Sequence, residues 1–146
     1  MYSSLVNKKS GVELLAVLHA AHAAENAVEA KLNGMGLSFP KLMALQALAN
    51  AGEPMPLTQL ADRLSCVKSN ITKLVDRLEA DGLVARQGDP KDRRARLAAL
   101  TPAGRKAVMA GSHVRQDAER DVLQGLSQAE ARQLAQLMEK LGKHLA

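Results

Sequence analysis

The stretch Lys68-Ser69-Asn70-Ile71-Thr72-Lys73-Leu74-Val75-Asp76-Arg77-Leu78-Glu79 separates two kinds of residue. Ile71, Leu74, Val75 and Leu78 form one apolar strip at helical spacing, and Lys68, Ser69, Asn70, Thr72, Lys73 and Arg77 stay off it. These polar types hydrogen-bond phosphates and base edges. They crowd the first half of the stretch, with Asp76, Glu79 and Asp81 trailing, the polarity needed by a helix that enters a major groove by its N-terminal half. A second cluster follows, in which Arg86, Lys91, Arg93, Arg94 and Arg96 set five cations against Asp89 and Asp92 within 11 residues. A tip so charged has no role in a core, and arginine suits a neighbouring minor groove or backbone. Asp92, two residues before Arg94, is placed to hold that guanidinium through a charge-assisted bond. The plainer reading is a solvated amphipathic helix and a solvated turn; the proximity of the two clusters favours the chemical one.

These side chains need elements to carry them. Leu57 to about Leu64 reads as a short helix, Ser65-Cys66-Val67 as a turn, and Lys68 to Asp81 as a second helix closed by a left-handed Gly82. Leu83 to Arg86 is a short extended run, residues 88 to 92 are rich in turn formers, and Arg96 to Leu100 returns as a second strand. The middle of the chain is thus a helix-turn-helix followed by a β-hairpin. Before it, Ser10-Gly11-Val12-Glu13 has the form of a capping box that opens a helix ending at Gly34. Ser38 caps a second helix with Pro40 in its first turn and Ala51-Gly52 at its end, and Glu53-Pro54-Met55-Pro56 reads as a rigid connector. After it, Thr101-Pro102 starts a long helix, and Ser127-Gln128-Ala129-Glu130 starts another.

Both ends of the chain carry apolar stripes: Leu14, Val17, Leu18, Ala21, Val28 and Leu32 in the first helix, and Leu134, Leu137, Met138, Leu141 and Leu145 in the last. Such faces must be buried somewhere, and a second chain accounts for both better than the compact middle alone. Leu14, Val17, Leu18, Leu134, Leu137 and Leu141 are the expected dimerisation residues. The layout is residues 1–36 as a dimerisation helix, 37–101 as the lobe carrying the helix-turn-helix and hairpin, and 102–146 as further dimerisation helices.

Composition agrees. Among 146 residues there are 25 Ala and 23 Leu against 10 Val, 1 Ile and 3 Thr, with no Trp, one Tyr (Tyr2) and one Phe (Phe39). A large sheet is therefore excluded in favour of a mainly helical fold with a small hairpin. The net charge of +5 is uneven: residues 1–67 are neutral, residues 68–96 hold 8 basic against 5 acidic groups, and residues 97–146 hold 7 against 5. The excess lies where an anionic partner would be met. No apolar run approaches the ~18 residues that span a bilayer, and one cysteine forms no internal disulfide. A cytoplasmic protein with no membrane partner is the expectation.

Other chemistries find little support. There is no Gly-rich phosphate loop, no His-Glu-x-x-His and no Gly-x-Ser-x-Gly, so an enzyme is not expected, and neither is a cofactor. Cys66, in the turn before the basic helix, would suit a redox switch, yet a lone cysteine is more often a small buried spacer. His19, His22, Asn26 and Glu29 line one side of the first helix and His113 lies on a late one. Without a second anchored cluster they read as a solvated or dimer-facing stripe rather than a zinc site.

Three stretches together resemble the MarR-type winged-helix transcriptional regulators, named for multiple antibiotic resistance. Asp89-Pro90-Lys91-Asp92-Arg93-Arg94-Ala95-Arg96 followed by Leu100-Thr101-Pro102-Ala103-Gly104 is similar to that family's wing and the start of its fifth helix. Leu60-Ala61-Asp62-Arg63-Leu64 and Leu74-Val75-Asp76-Arg77-Leu78-Glu79-Ala80-Asp81-Gly82-Leu83-Val84 resemble its third helix and recognition helix. The resemblance implies a winged helix-turn-helix with a helical dimerisation region built from both chain ends. It implies a homodimer on double-stranded DNA at a pseudo-palindromic operator, acting as a repressor or occasionally an activator, with a repressor released by a small organic effector as the expected form. Ser69, Asn70, Thr72 and Lys73 would then face the major groove, Arg77 the backbone and Arg94 the minor groove. Val67 stands where many relatives carry a polar cap, which leaves Ser65 or solvent to serve. An effector would sit between the dimerisation helices and the lobe, and so few aromatics imply a pocket of Leu, Met and Ala rather than stacked rings. Two alternatives stand beside this reading: a helical protein-interaction module whose basic hairpin grips an acidic protein, and a regulator that senses redox state or metal.

Overall fold

The structure, a computed structural model, describes residues 14–64 and 70–146. In chain order it has α1 (Leu14–Asn33), α2 (Phe39–Ala51), β1 (Met55–Pro56), α3 (Leu57–Arg63), α4 (Ile71–Ala80), β2 (Val84–Asp89), β3 (Asp92–Leu100), α5 (Pro102–Leu123) and α6 (Gln128–Leu145). It is mainly helical with one small antiparallel sheet, as composition required.

Local chemistry sets most boundaries. Ser38 Oγ accepts from the Lys41 amide at 3.3 Å to cap α2, and Gly52 ends that helix in the left-handed region at φ 70°. Thr101 Oγ1 accepts from the Gly104 amide at 3.0 Å and donates to the Gly82 carbonyl at 2.7 Å, so one hydroxyl both caps α5 and ties it to the turn after α4. Gly104 is needed at this junction, because a Cβ there would run into the Leu83 carbonyl oxygen. At α6 the Ser127 and Glu130 side chains and amides satisfy each other in the expected capping box. The candidate box at Ser10-Gly11-Val12-Glu13 lies outside the described residues.

Three expectations need correction. Residues 53–56 are more than a connector: Met55 and Pro56 form a third strand, with Met55 opposite Ala98 and Pro56 opposite Leu97 in a sheet of order β1-β3-β2. Met55 is driven there by burial, being 2% exposed, and Pro56 is tolerated because β1 is an edge strand that can forgo an N–H. The hairpin strands also run closer to the tip than the turn-rich residues 88 to 92 suggested, with Gly88 opposite Arg96 and Asp89 opposite Asp92. Asp89 Oδ1 accepts from the Lys91 amide at 2.9 Å and stabilises the tight reversal. Finally, α4 begins at Ile71 rather than Lys68. Its cap is Asn70, whose Oδ1 accepts from the amides of Thr72 at 3.0 Å and Lys73 at 3.3 Å.

The core lies in the middle of the chain. Leu42 and Leu45 of α2, Met55, Leu60 of α3, and Val75 and Leu78 of α4 are fully buried, together with Leu32 from the end of α1. The strip that the sequence assigned to α4 is the one it buries, with Leu74, Val75 and Leu78 inside and Ile71 partly so. α5 packs along α1 and α2, where Gly111 allows close approach: a Cβ there would lie 2.6 Å from Leu42 Cδ1. The chain ends differ. Leu14 is 72% exposed and Leu18 55%, Val17 is half-buried, and α6 has no buried residue at all.

Candidate nucleic-acid interface

The packing of α4 fixes which of its side chains face outward. With Leu74, Val75 and Leu78 inside, Thr72, Lys73, Asp76 and Arg77 are exposed. Among the described residues, Lys73 and Arg77 have no carboxylate within ion-pair distance, and the same holds for Lys91, Arg93, Arg94 and Arg96 on the exposed wing. Two sets of unpaired cations, one on α4 and one on the wing, suit a polyanion with a regular charge spacing. Lys68 and Ser69, expected to join them, lie outside the described residues, as does Cys66.

Asn70 is exposed but committed in part. Its Oδ1 holds the first turn of α4, and among the described residues its two Nδ2 protons have no acceptor.

Two wing residues behave otherwise than their sequence positions suggested. Asp92 does not hold the Arg94 guanidinium: its Oδ1 accepts from the Arg94 backbone amide at 2.9 Å, since a short carboxylate two residues upstream reaches the amide more readily than the end of a long side chain. It orders the tip and leaves the Arg94 head free. Arg86, counted with the tip cations, is paired instead. Its Nη2 lies 2.6 Å from Asp76 Oδ1 and its Nη1 3.4 Å from Glu79 Oε1, and its pKa is raised, chiefly by the hydrogen bond with Asp76.

Sequence reasoning missed Lys41. It lies with Glu29, Ser38, Asn70, Lys73 and Arg77 around a cleft of about 440 Å³ between the start of α2 and the outer face of α4. Its Nζ is held by Asp81 at 2.8 Å, and the Phe39 amide donates to Glu29 Oε1 at 2.6 Å. These contacts tie α1 to α2 and α2 to the end of α4. Lys41 sits in the neutral half of the chain, so no charge run marks it.

A second cleft, of about 500 Å³, opens between α2, the end of α3 and α5, lined by Met43, Gln46, Ala47, Asn50, Arg63, Leu64 and Arg115. Gln46 Oε1 and Arg115 Nε are buried there without a hydrogen-bond partner among the described residues; Glu119 Oε1 lies 3.6 Å from Arg115 Nε, within ion-pair range only. Buried polar atoms left in this way are costly unless something pairs with them. His19, His22 and His113 are exposed, and among the described residues no three of His, Cys, Asp and Glu converge on a point that could hold a metal ion. No described helix is long and apolar enough to cross a membrane.

Against known proteins, the model of the MarR family matches residues 35–95, the span from the α1–α2 turn to the wing. The HTH-type transcriptional regulator YkoM of Bacillus subtilis is 33% identical over 109 residues, which cover 75% of this chain and 70% of that protein. The crystal structure of a probable transcriptional regulator from Pseudomonas aeruginosa superposes with a TM-score of 0.79 at 32% identity, covering 88% of this chain and 96% of that one. A mutant of E. coli MarR complexed with operator DNA shares the fold at 21% identity, with a TM-score of 0.78 over 94% of this chain and 97% of that one.

Proposed function

Because the chain belongs to the MarR family of transcriptional regulators, we propose that it works as a homodimer that binds a pseudo-palindromic operator and represses transcription until a small organic acid releases it. The observation that carries the DNA reading is a contrast in pairing: Lys41 and Arg86, which tie elements of the lobe together, are neutralised, whereas among the described residues Lys73 and Arg77 of α4 and Lys91, Arg93, Arg94 and Arg96 of the wing have no carboxylate partner. In this reading α4 enters the major groove with Thr72, Lys73 and the free amide protons of Asn70, Arg77 contacts the backbone, and Arg94 reaches the minor groove. Residues 37–101 do the reading, and residues 1–36 and 102–146 hold two copies in register.

The exposed apolar face of α6 supports the second chain. Leu137 and Leu141, at 53% and 41% exposure, continue the face begun by Leu134, and a helix with no buried residue would not stay helical for its propensity alone. Covering it with the same face of a second copy, together with Leu14 and Leu18 of α1, is the closed arrangement that a twofold axis provides. Two recognition helices would then meet one DNA face about 34 Å apart. Support for the effector comes from the second cleft, where Arg63 and Arg115 would face a carboxylate and Gln46 Oε1 would accept from a ligand hydroxyl or amine.

A salt titration tests the DNA reading. On a duplex that the protein selects, log affinity should fall linearly with log salt, with a slope of about −0.9 for each phosphate contacted. A flat dependence would favour a protein partner for the basic hairpin instead.

A further inference from the structure

Asp76 and Glu79 are an electrostatic oddity, two carboxylates on the element that carries the groove-facing donors. With Thr72 they stand at spacings of four and three residues, one line along α4, and that line meets the wing. Arg86, in the middle of β2, engages all three: its Nη2 reaches Asp76 at 2.6 Å, its Nη1 reaches Glu79 at 3.4 Å, and its Nη2 also lies 3.5 Å from the Thr72 carbonyl. β2 is an outer strand, so some of its amides have no strand partner, and the Arg86 amide donates to Glu79 Oε2 at 3.1 Å. Backbone and side chain of one wing residue are thus both held by α4. Among the described residues, the hydrogen bonds and ion pairs of the wing beyond Arg86, out to Asp92, stay within its own hairpin.

We propose that Arg86, Asp76 and Glu79 form a positioning bridge that fixes the wing to the recognition helix, so that α4 and the wing tip meet adjacent grooves as one rigid unit. None of the three contacts DNA in this arrangement. The proposal rests on the DNA reading for its purpose, though not for its geometry. The bridge is part-exposed, with 23% of the Arg86 side chain, 56% of Asp76 and 44% of Glu79 accessible, so its effect on global stability is small. Its worth lies in preorganisation: a wing already set at its bound angle loses less freedom on binding.

The bridge reverses a sign. Coulomb's law alone makes removal of Asp76 and Glu79 favourable for any duplex, since two negative charges leave a surface that faces phosphate. The bridge makes it unfavourable for the specific complex. The test is Asp76→Asn with Glu79→Gln in the full-length protein, titrated on a duplex selected by wild type from a random pool and on an unselected duplex. Affinity for the selected duplex is expected to drop about tenfold while that for the unselected one holds or rises. Without DNA, hydrogen exchange at the Arg86 amide and along β2 and β3 should quicken about tenfold, with α2 and α5 unchanged. Restoring a bridge of opposite polarity, Asp76→Arg with Arg86→Asp, should slow that exchange again. Selected and unselected affinities rising together, or wing exchange that does not change, would overturn the proposal. Should wild type select no sequence, the DNA reading falls, and the exchange measurement still decides whether the bridge exists.

Discussion

The winged lobe and the chain ends obey opposite rules. The lobe turns its leucines inward, and Leu42, Leu45, Leu60 and Leu78 are completely covered by neighbours from its own chain. α6 turns the same residue type outward, with Leu134, Leu137, Leu141 and Leu145 between 37% and 74% exposed. Composition is blind to this difference, since both regions are rich in Leu and Ala. Burial separates a part that closes over its own leucines from a part that leaves them uncovered, and charge pairing makes a similar distinction inside the lobe. Lys41 and Arg86, which tie elements together, are paired, and among the described residues Lys73, Arg77 and the wing-tip cations are not.

The contrast breaks most visibly at the ends. Leu137→Glu together with Leu141→Glu places two charges on the exposed face of α6, and sedimentation at micromolar concentration should show monomer where wild type shows dimer, with operator binding lost. The same measurement finding an intact dimer would move the interface off α6. Within the lobe, Leu45→Ala should cost about 2 to 5 kcal/mol in chemical denaturation, because the cavity lies in the closed core between α2 and its neighbours.

Asn70 sharpens the comparison at the scale of one side chain. Asn70→Ala removes both the cap and the Nδ2 donors, with about 1 kcal/mol of helix stability at stake, whereas Asn70→Asp keeps the cap and removes the donors alone. If Asn70 reads a base, both variants should relax the preference at one operator position by about 1 to 3 kcal/mol, and only Asn70→Ala should lower the melting temperature. If it only caps, Asn70→Asp should bind every sequence in the same proportion, slightly weakened by its charge.

The smallest effect is at the start of α6. The Ser127 amide and hydroxyl hold the Glu130 carboxyl below its usual range. A carboxyl depressed on folding contributes stability above its unfolded value of 4.5 and loses it as pH falls through the lower, folded value. Wild type should therefore lose slightly more α6 helicity than Glu130→Gln when circular dichroism is followed below about pH 4.5. Equal acid profiles would show that the box contributes nothing.

Much of this was legible in the sequence. Caps announced themselves at Ser38, Thr101 and Ser127 because the chemistry of a helix start is local, and the periodicity of α4 named its buried face. What escaped depended on contacts between distant residues. Met55-Pro56 is too short to show strand alternation, and its partner is some forty positions away in β3. Arg86 looked like one more tip cation because its two carboxylates belong to another element. Asp92 was assigned the right neighbour and the wrong group, since sequence spacing does not distinguish an amide from a side-chain head. The cleft with Gln46, Arg63 and Arg115 draws on three helices, and no spacing links them.

The central claim, that two self-contained lobes are held in register by the exposed end helices, is tested most directly by the composition and pattern of the DNA complex. Duplexes selected from a random pool should contain an inverted repeat with half-site centres about 10 base pairs apart, and light scattering on the complex should give two chains per duplex. A single unpaired half-site bound by one chain, or no enrichment of any sequence, would contradict it.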